Sequence, residues 1–416
     1  MQRQIHYLKN LTPFRGIAAL LVVIYHLDLM LGNGGGGLVP VKDSIILSKM
    51  YLMVDFFFIL SGFIMCYVYS KWFVEAVSFK EFKRFIIARF ARIYPIHLLT
   101  LFYTITLFYI SSRLKIPEVP VLQVADSTIS IITNLLLIHS LNLHNWFTWN
   151  HASWSISAEW WAYMVFPLLV KPIMRLKTKG ILLGIGLCFS GYILITYILV
   201  PLVTIPPEIP FVKLDPAKHV INVAYQFGYI RCLCGFILGM CIYQCYKADW
   251  GSKLLNSGFI LTLVTIGLFT CMHLDLPDFI TVAFFPLILL CGTYGSSGIN
   301  KLFSKKPLQL IGDWSFSIYM IHEPLLYTFG AITTYLQPIR KSLPSLPPPV
   351  PDRLTNWIIS IPFIIITLFI SFLTYRYIEM PARKLINGLS IPANSSISST
   401  SIFFAAQKIA FLKSCL

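Results

Sequence analysis

The sequence predicts an all-α membrane protein, with about ten transmembrane helices in one bundle and both termini in the cytoplasm. Three observations carry that expectation. The 416-residue chain is 56% hydrophobic and only 12% charged, with a mean hydropathy of +0.73. Soluble globular domains carry about 25% charged residues. Apolar runs long enough to cross roughly 30 Å of hydrocarbon recur along the chain. The cations lie between those runs, and they are unevenly shared between the two sides.

Taken in order, the runs begin near Leu11, Tyr51, Ile93, Trp154, Ile181, Val220, Leu255, Asp278, Asp313 and Thr355. With the N-terminus inside, the loops place 22 Lys and Arg on the cytoplasmic face and 9 on the outer face, and Arg15 and Arg231 within spans complete the 33. The formal charge of +16 is therefore topological, and nucleic acid is not expected as a partner.

The run Thr128–Leu141 is too short to cross and reads as a re-entrant or surface helix in a long outer loop. Phe79–Phe90 reads as a basic amphipathic helix on the cytoplasmic surface, Gly32–Gly37 as a flexible turn, and Pro338–Pro351 as a Pro-rich outer loop. Residues 1–385 form the integral-membrane domain. Residues 386–416 form a Ser-rich linker and a short tail, apolar from Ile402, that either lies on the membrane or frays. The first span lacks a cleavage signature and is expected to be a retained anchor. No fused soluble domain is expected, which places any chemistry inside the bundle. The nine cysteines are scattered; Cys234, Cys241 and Cys245 share a helical face, but no His or carboxylate follows it. They read as packing residues, with neither a metal site nor a disulfide framework implied.

Ionisable side chains at the centre of an apolar span cost roughly 2.5 kcal/mol or more each, so they mark function by default. The first span holds two, Arg15 and His26. Eleven residues at about 100° each bring them onto one face, roughly 16 Å apart along the axis. That face offers an anion binder near the cytoplasm and a base deeper in. Asp55, near the outer start of the second span, reaches the depth of His26 and is a candidate to fix its tautomer. Glu159, in Trp154-Ser-Ile-Ser-Ala-Glu159, brings a third carboxylate to that level. Asp28 is a weaker partner, because two helical positions turn it about 200° away from His26.

Five of the nine tryptophans fall between Trp146 and Trp161, beside His144 and His151. An interfacial aromatic belt and a sugar-stacking surface both account for them, and Trp154 is a candidate acceptor-binding residue. Arg89 and Arg92 lie three residues apart on one helical face and suit bidentate phosphate binding, with lipid anchoring as the alternative. Arg231 either extends that anion site or neutralises a bundle carboxylate. Ser61-Gly62 permits close approach of a ligand or a helix. His322, followed by Glu323-Pro324, is either a site residue or a packed structural one, with Pro324 freeing backbone carbonyls.

Five segments, in order, carry a resemblance: Leu11-Thr-Pro-Phe-Arg15 through Ile24-Tyr-His26, Asp55-Phe-Phe-Phe-Ile-Leu-Ser-Gly-Phe63, Arg89-Phe-Ala-Arg92-Ile-Tyr-Pro95, Trp154 to Glu159, and Ser317-Ile-Tyr-Met-Ile-His322. Together they resemble the acyltransferase-3 family of integral-membrane O-acyltransferases, over about Leu11 to Pro381. The resemblance implies transfer of an acyl group, most often acetyl, from cytoplasmic acyl-CoA to a hydroxyl of an envelope or exported carbohydrate, such as lipopolysaccharide O-antigen or exopolysaccharide. It implies a multi-pass protein of the bacterial cytoplasmic (inner) membrane. Acyl-CoA is then a co-substrate, with a carbohydrate or glycolipid acceptor and no bound cofactor or metal. It makes His26 the catalytic histidine, Arg15 the arginine of an Arg-x10-His motif, and Arg89 and Arg92 an Arg-x-x-Arg pair.

The resulting expectation has three parts. His26, Asp55 and Glu159 act catalytically; Arg15, Arg89, Arg92 and Arg231 hold acyl-CoA; Ser61, Trp154 and His322 support the site or bind acceptor. A transporter or flippase of a lipid-linked sugar or small anion is the alternative, since intramembrane Arg, His and Asp also serve proton-coupled transport.

Overall fold

The computed structural model describes residues 10–32, 36–116, 126–206, 219–295, 297–341 and 353–388, and among them all regular structure is helical. In chain order these are α1 (Leu11–Leu31), α2 (Met53–Phe73, entered through a 3-10 turn at Leu47–Leu52), α3 (Phe79–Arg113), α4 (Thr128–Leu135), α5 (Ser153–Met174) and α6 (Thr178–Leu194). After them come α7 (Gly228–Lys247), α8 (Ser252–Leu255), α9 (Gly258–His273), α10 (Asp278–Val282) and α11 (Phe284–Tyr294). The last five are α12 (Ser297–Phe303), α13 (Lys306–Asp313), α14 (Ser315–Lys341), α15 (Arg353–Thr374) and α16 (Met380–Gly388). Six of the helical stretches are long and apolar enough to cross a bilayer, which makes this a multi-pass membrane protein. The tail from Ile402, nearly all of the Pro-rich loop and part of the Gly32–Gly37 turn lie outside the described residues.

Three of the expected elements come out differently. The amphipathic Phe79–Phe90 segment and the third apolar run are one helix, α3, of 35 residues, begun by the Ser78 hydroxyl accepting from the Glu81 amide and continuous through Pro95. The run from Asp313 is divided at Trp314 into α13 and the longer α14. The run from Val220 becomes helical only at Gly228, because Phe227 before it adopts a left-handed φ of 59°. The short outer-loop run Thr128–Leu141 is helical only over the eight-residue α4, Thr128–Leu135.

Small residues set the helix spacing that builds the site. α2 and α7 pack so closely that a Cβ added to Gly62 would lie 1.9 Å from the Phe236 carbonyl oxygen, and one on Gly239 would lie 1.9 Å from that of Ile59. Of the two sequence readings of Gly62, close helix packing is the one observed. α1 meets α13 the same way, with a Gly16 Cβ position only 2.7 Å from the Gly312 amide nitrogen. That contact brings Arg15 beside the Asp313 turn and lays the His26 end of α1 against α14.

Two backbone irregularities matter further. Pro324 has no amide hydrogen, so the Met320 carbonyl one turn earlier loses its helical donor; Asn150 Nδ2 supplies one at 3.0 Å. The loop before α5 is thereby tied to the turn of α14 that carries His322 and Glu323. Between α15 and α16 the chain forms a π-helical turn, Tyr375–Glu379, which directs buried Glu379 into the bundle.

Asp126 secures the neighbouring residue of the same loop, its Oδ1 accepting from the Trp149 amide at 2.7 Å. Burial pushes this carboxyl up to about 7, from an ordinary value near 4. A folded-state pKa raised above the unfolded one contributes stability that is complete below about pH 4 and lost as pH rises through about 7. The thermal midpoint is therefore expected to fall over that interval, and Asp126→Asn is expected to flatten the decline.

Candidate active site

α1 delivers His26 with its side chain 25% exposed, beside two α14 residues that are nearly inaccessible. His26 Nδ1 lies 2.9 Å from the Val22 carbonyl and 3.2 Å from His322 Nε2. His26 Nε2 lies 3.0 Å from Glu323 Oε1. The pattern assigns the protons. His322 Nδ1 sits 2.6 Å from the Tyr319 carbonyl, which only accepts, so this nitrogen donates and His322 Nε2 is left to accept. His26 Nδ1 is then the donor to both the Val22 oxygen and His322, and Nε2 meets Glu323 Oε1 at a hydrogen-bond distance that one proton between them bridges. Glu323 is itself held by the Tyr327 hydroxyl. Tyr319, which orients His322, is fixed through its hydroxyl by Ser155 Oγ at 2.7 Å and the Ala152 carbonyl at 3.1 Å.

The trio His26, His322 and Glu323 also has the composition of a three-ligand metal set, its candidate atoms lying within 4.8 Å of one another. Each of those atoms is already paired within the set or to a backbone carbonyl, which is the pattern of a proton relay.

Asp55 does not partner His26. It is fully buried and held in a fork by Arg231, with Nη2 2.6 Å from Oδ2 and Nε 3.0 Å from Oδ1. The expected Asp55–His26 pair is thus replaced by an ion pair. Arg231 is likewise absent from the arginine group described below, having taken its other role of neutralising a bundle carboxylate. The reason is electrostatic: a guanidinium 1% exposed in the bundle demands a carboxylate, and α2 and α7 are the most closely packed helices. Trp154 and Tyr51 cover the same guanidinium with their rings, 5.5 and 5.6 Å from its carbon. Removing one partner of such a pair costs about 3–5 kcal/mol. Asp55→Ala is therefore expected to lower the unfolding temperature in detergent, and Asp55→Ala with Arg231→Met to recover part of it; a residue that only oriented His26 would lower turnover and spare stability.

Glu159 also sits apart from the His26 pair. Its carboxylate accepts from Ser61 Oγ and from Tyr163 OH, the latter at 2.6 Å, and lies in the field of Arg89 and Arg92.

Arg89 donates to Tyr69 OH at 2.7 Å and lies over the Tyr69 and Tyr163 rings. Arg92 pairs with Glu379, whose other oxygen accepts from Ser317 Oγ at 2.8 Å. Arg383 lies 3.7 Å from the same carboxylate. Asp313 feels Arg15, Arg92 and Arg383 together. The sequence expected Arg15, Arg89 and Arg92 around one mouth; Arg89 and Arg92 are engaged by Tyr69 and Glu379, and Asp313 lies within the electrostatic reach of Arg15 and Arg92.

Sequence reasoning missed Glu323 and the Glu379–Arg383 buttress. Glu323 was legible as a charge within a span, next to His322. Which histidine it would face was not legible, because that depends on how α1 lies against α14.

A partly exposed imidazole, a buried carboxylate against one of its nitrogens, and guanidiniums toward the other end of the same helix are groups able to move a proton and to bind an anion. The sequence matches the acyltransferase domain family over residues 9–376, and the chain belongs to this acyltransferase-3 family. It is 25% identical over 416 aligned positions to the peptidoglycan O-acetyltransferase OatA of Listeria monocytogenes, covering 91% of this chain and 56% of the relative. It is 23% identical over 407 positions to the O-acetyltransferase OatA of Staphylococcus aureus, covering 91% and 57%. The chain thus spans little more than half the length of these curated relatives. No solved structure matches it.

Proposed function

We propose that this protein transfers an acyl group, acetyl foremost, from acyl-CoA to a hydroxyl of an envelope carbohydrate, in the bacterial cytoplasmic membrane. The observation that carries the reading is one face of α1, with Arg15 among guanidiniums at one end and His26, bonded to His322 and close to Glu323, at the other.

The phosphates of acyl-CoA meet Arg15, Arg89 and Arg92 from the cytoplasmic side, where planar guanidiniums suit bidentate contacts. The pantetheine arm runs past Ser61 and Glu159 along the roughly 16 Å that eleven helical residues span, so the thioester carbonyl arrives beside His26. The acceptor hydroxyl inserts between His26 Nε2 and Glu323, in place of their direct contact, and gives its proton to Nε2 as its oxygen attacks the carbonyl carbon. The imidazolium is stabilised by Glu323 and by the Nδ1–H bond to His322. The carbon–sulfur bond then breaks, and the Nε2 proton passes to the departing thiolate.

The name of the Listeria monocytogenes relative favours a peptidoglycan sugar as acceptor, with lipopolysaccharide O-antigen or exopolysaccharide the alternatives. Purified protein is expected to release free thiol from acetyl-CoA faster when a saccharide is added. A transporter or flippase would bind saccharide and release none.

A further inference from the structure

One guanidinium beside the Arg92–Glu379 pair holds donors that the fold does not use. Arg383 stands on α16 four residues after Glu379, so the two share a helical face. Its Nη1 lies 3.7 Å from Glu379 Oε1, beyond hydrogen-bond distance, and 3.9 Å from the weak acceptor Met380 Sδ. Among the described residues no oxygen accepts a hydrogen bond from it. Glu379 does not need it either: Arg92 is bonded to the same Oε1, and Ser317 Oγ donates to Oε2 at 2.8 Å. The Arg383 side chain is nevertheless only 28% exposed. A guanidinium that has lost most of its water, with five donors in a fixed fork and no oxygen partner, calls for an acceptor from outside the chain.

The surrounding charge has the sign that an anion needs. Arg92 and Arg89 both repel Arg383. Around Asp313 the fold sets Arg15, Arg92 and Arg383 against only two carboxylates, Asp313 and Glu379. Arg89 adds a further cation, with Nη2 spent on a tyrosine hydroxyl and Nε buried without a partner.

Acyl-CoA carries phosphate of two kinds. Each phosphorus of the pyrophosphate is a diester with one charge. The 3′-phosphate is a monoester with three terminal oxygens and about −1.5 to −2 charges near neutral pH, and it lies at the far end of the molecule from the thioester. Arg92 is 19% exposed and committed to Glu379, whereas Arg383 is 28% exposed and uncommitted. The more exposed arginine, with its fork unused, suits the group that enters last and offers the most acceptors.

We infer that Arg383 reads the 3′-phosphate of the acyl donor through a bidentate pair of N–H bonds, and so makes the protein discriminate CoA from 3′-dephospho-CoA. Glu379 holds Arg92 and supplies the counter-charge beside which Arg383 waits for its ligand.

The inference rests on the acyl-transfer reading, and binding and turnover on one preparation separate the two. Calorimetric titration of the full chain in detergent gives an affinity for CoA about tenfold or more above that for 3′-dephospho-CoA, the range of a charge-assisted contact. Arg383→Gln lowers the CoA affinity about tenfold and leaves that for 3′-dephospho-CoA within about twofold, so the preference vanishes. Arg383→Lys, which keeps the charge and loses the fork, falls between. Arg376→Gln is the control: it removes a cation that lies over the Phe372 and Tyr377 rings, 5.9 and 5.6 Å from their centroids, and both affinities stay at the wild-type values. Thiol release from acetyl-CoA, with a β-1,4-linked N-acetylglucosamine trisaccharide as acceptor, is followed alongside. A wild type that binds the two ligands equally, or an Arg383→Gln variant that keeps the preference, overturns the inference, and thiol release in the same preparation leaves acyl transfer standing. A preference for CoA that vanishes in Arg383→Gln without any thiol release by the wild type upholds the 3′-phosphate contact and overturns the acyl-transfer reading.

Discussion

His26→Ala is expected to lower kcat for acyl transfer by about 10²–10⁴-fold, the usual contribution of a positioned general base, while CoA binds as tightly as before. The two effects separate because binding and proton transfer lie at opposite ends of α1. Arg15 sits with Arg92 and Arg383 around Asp313, and His26 sits with His322 and Glu323. Steady-state thiol release and calorimetric CoA binding on the same preparation check this. A variant that turns over at the wild-type rate contradicts the role of His26. A variant that loses CoA affinity instead would move the phosphates to the wrong end of the helix.

Glu323→Gln is expected to reduce kcat by about 10²-fold or more, with little change in the unfolding temperature. The amide preserves the shape of the carboxylate and a contact to Tyr327, but it cannot stabilise the imidazolium that forms when Nε2, 3.0 Å away, takes the hydroxyl proton. Asp55 makes the comparison sharp. Its partner is Arg231 at 2.6 Å, so its replacement acts first on stability. If instead Asp55→Asn reduced kcat with stability intact and Glu323→Gln were silent, the carboxylate assignments would be reversed.

The membrane class and the placement of Arg15 and His26 on one face of α1 were legible because each depends on periodicity along a single helix or on gross hydropathy. Which carboxylate reaches His26 was not, because that depends on how separate helices tilt and rotate. Asp55 and Glu323 both present a charge within an apolar span. Depth counted along the sequence favoured Asp55, whereas the close glycine-lined contact of α2 with α7 gives it to Arg231, and the contact of α1 with α13 and α14 gives His26 to Glu323. Pro324 held a usable signal, since the carbonyl it frees had to find a donor, but the sequence alone does not say that Asn150 provides it. Glu379 was hidden for a different reason: a π-helical turn shifts its direction from the one a regular helix would give.

The most direct test of the account follows a carbon-labelled acetyl group. Protein reconstituted in vesicles is given labelled acetyl-CoA on the Arg15 side and the N-acetylglucosamine trisaccharide on the His26 side, and the saccharide is weighed by mass spectrometry. The account predicts saccharide heavier by one labelled acetyl group in the wild type and none above background in His26→Ala. Equal labelling by both proteins, or thiol release that never labels the saccharide, would contradict it.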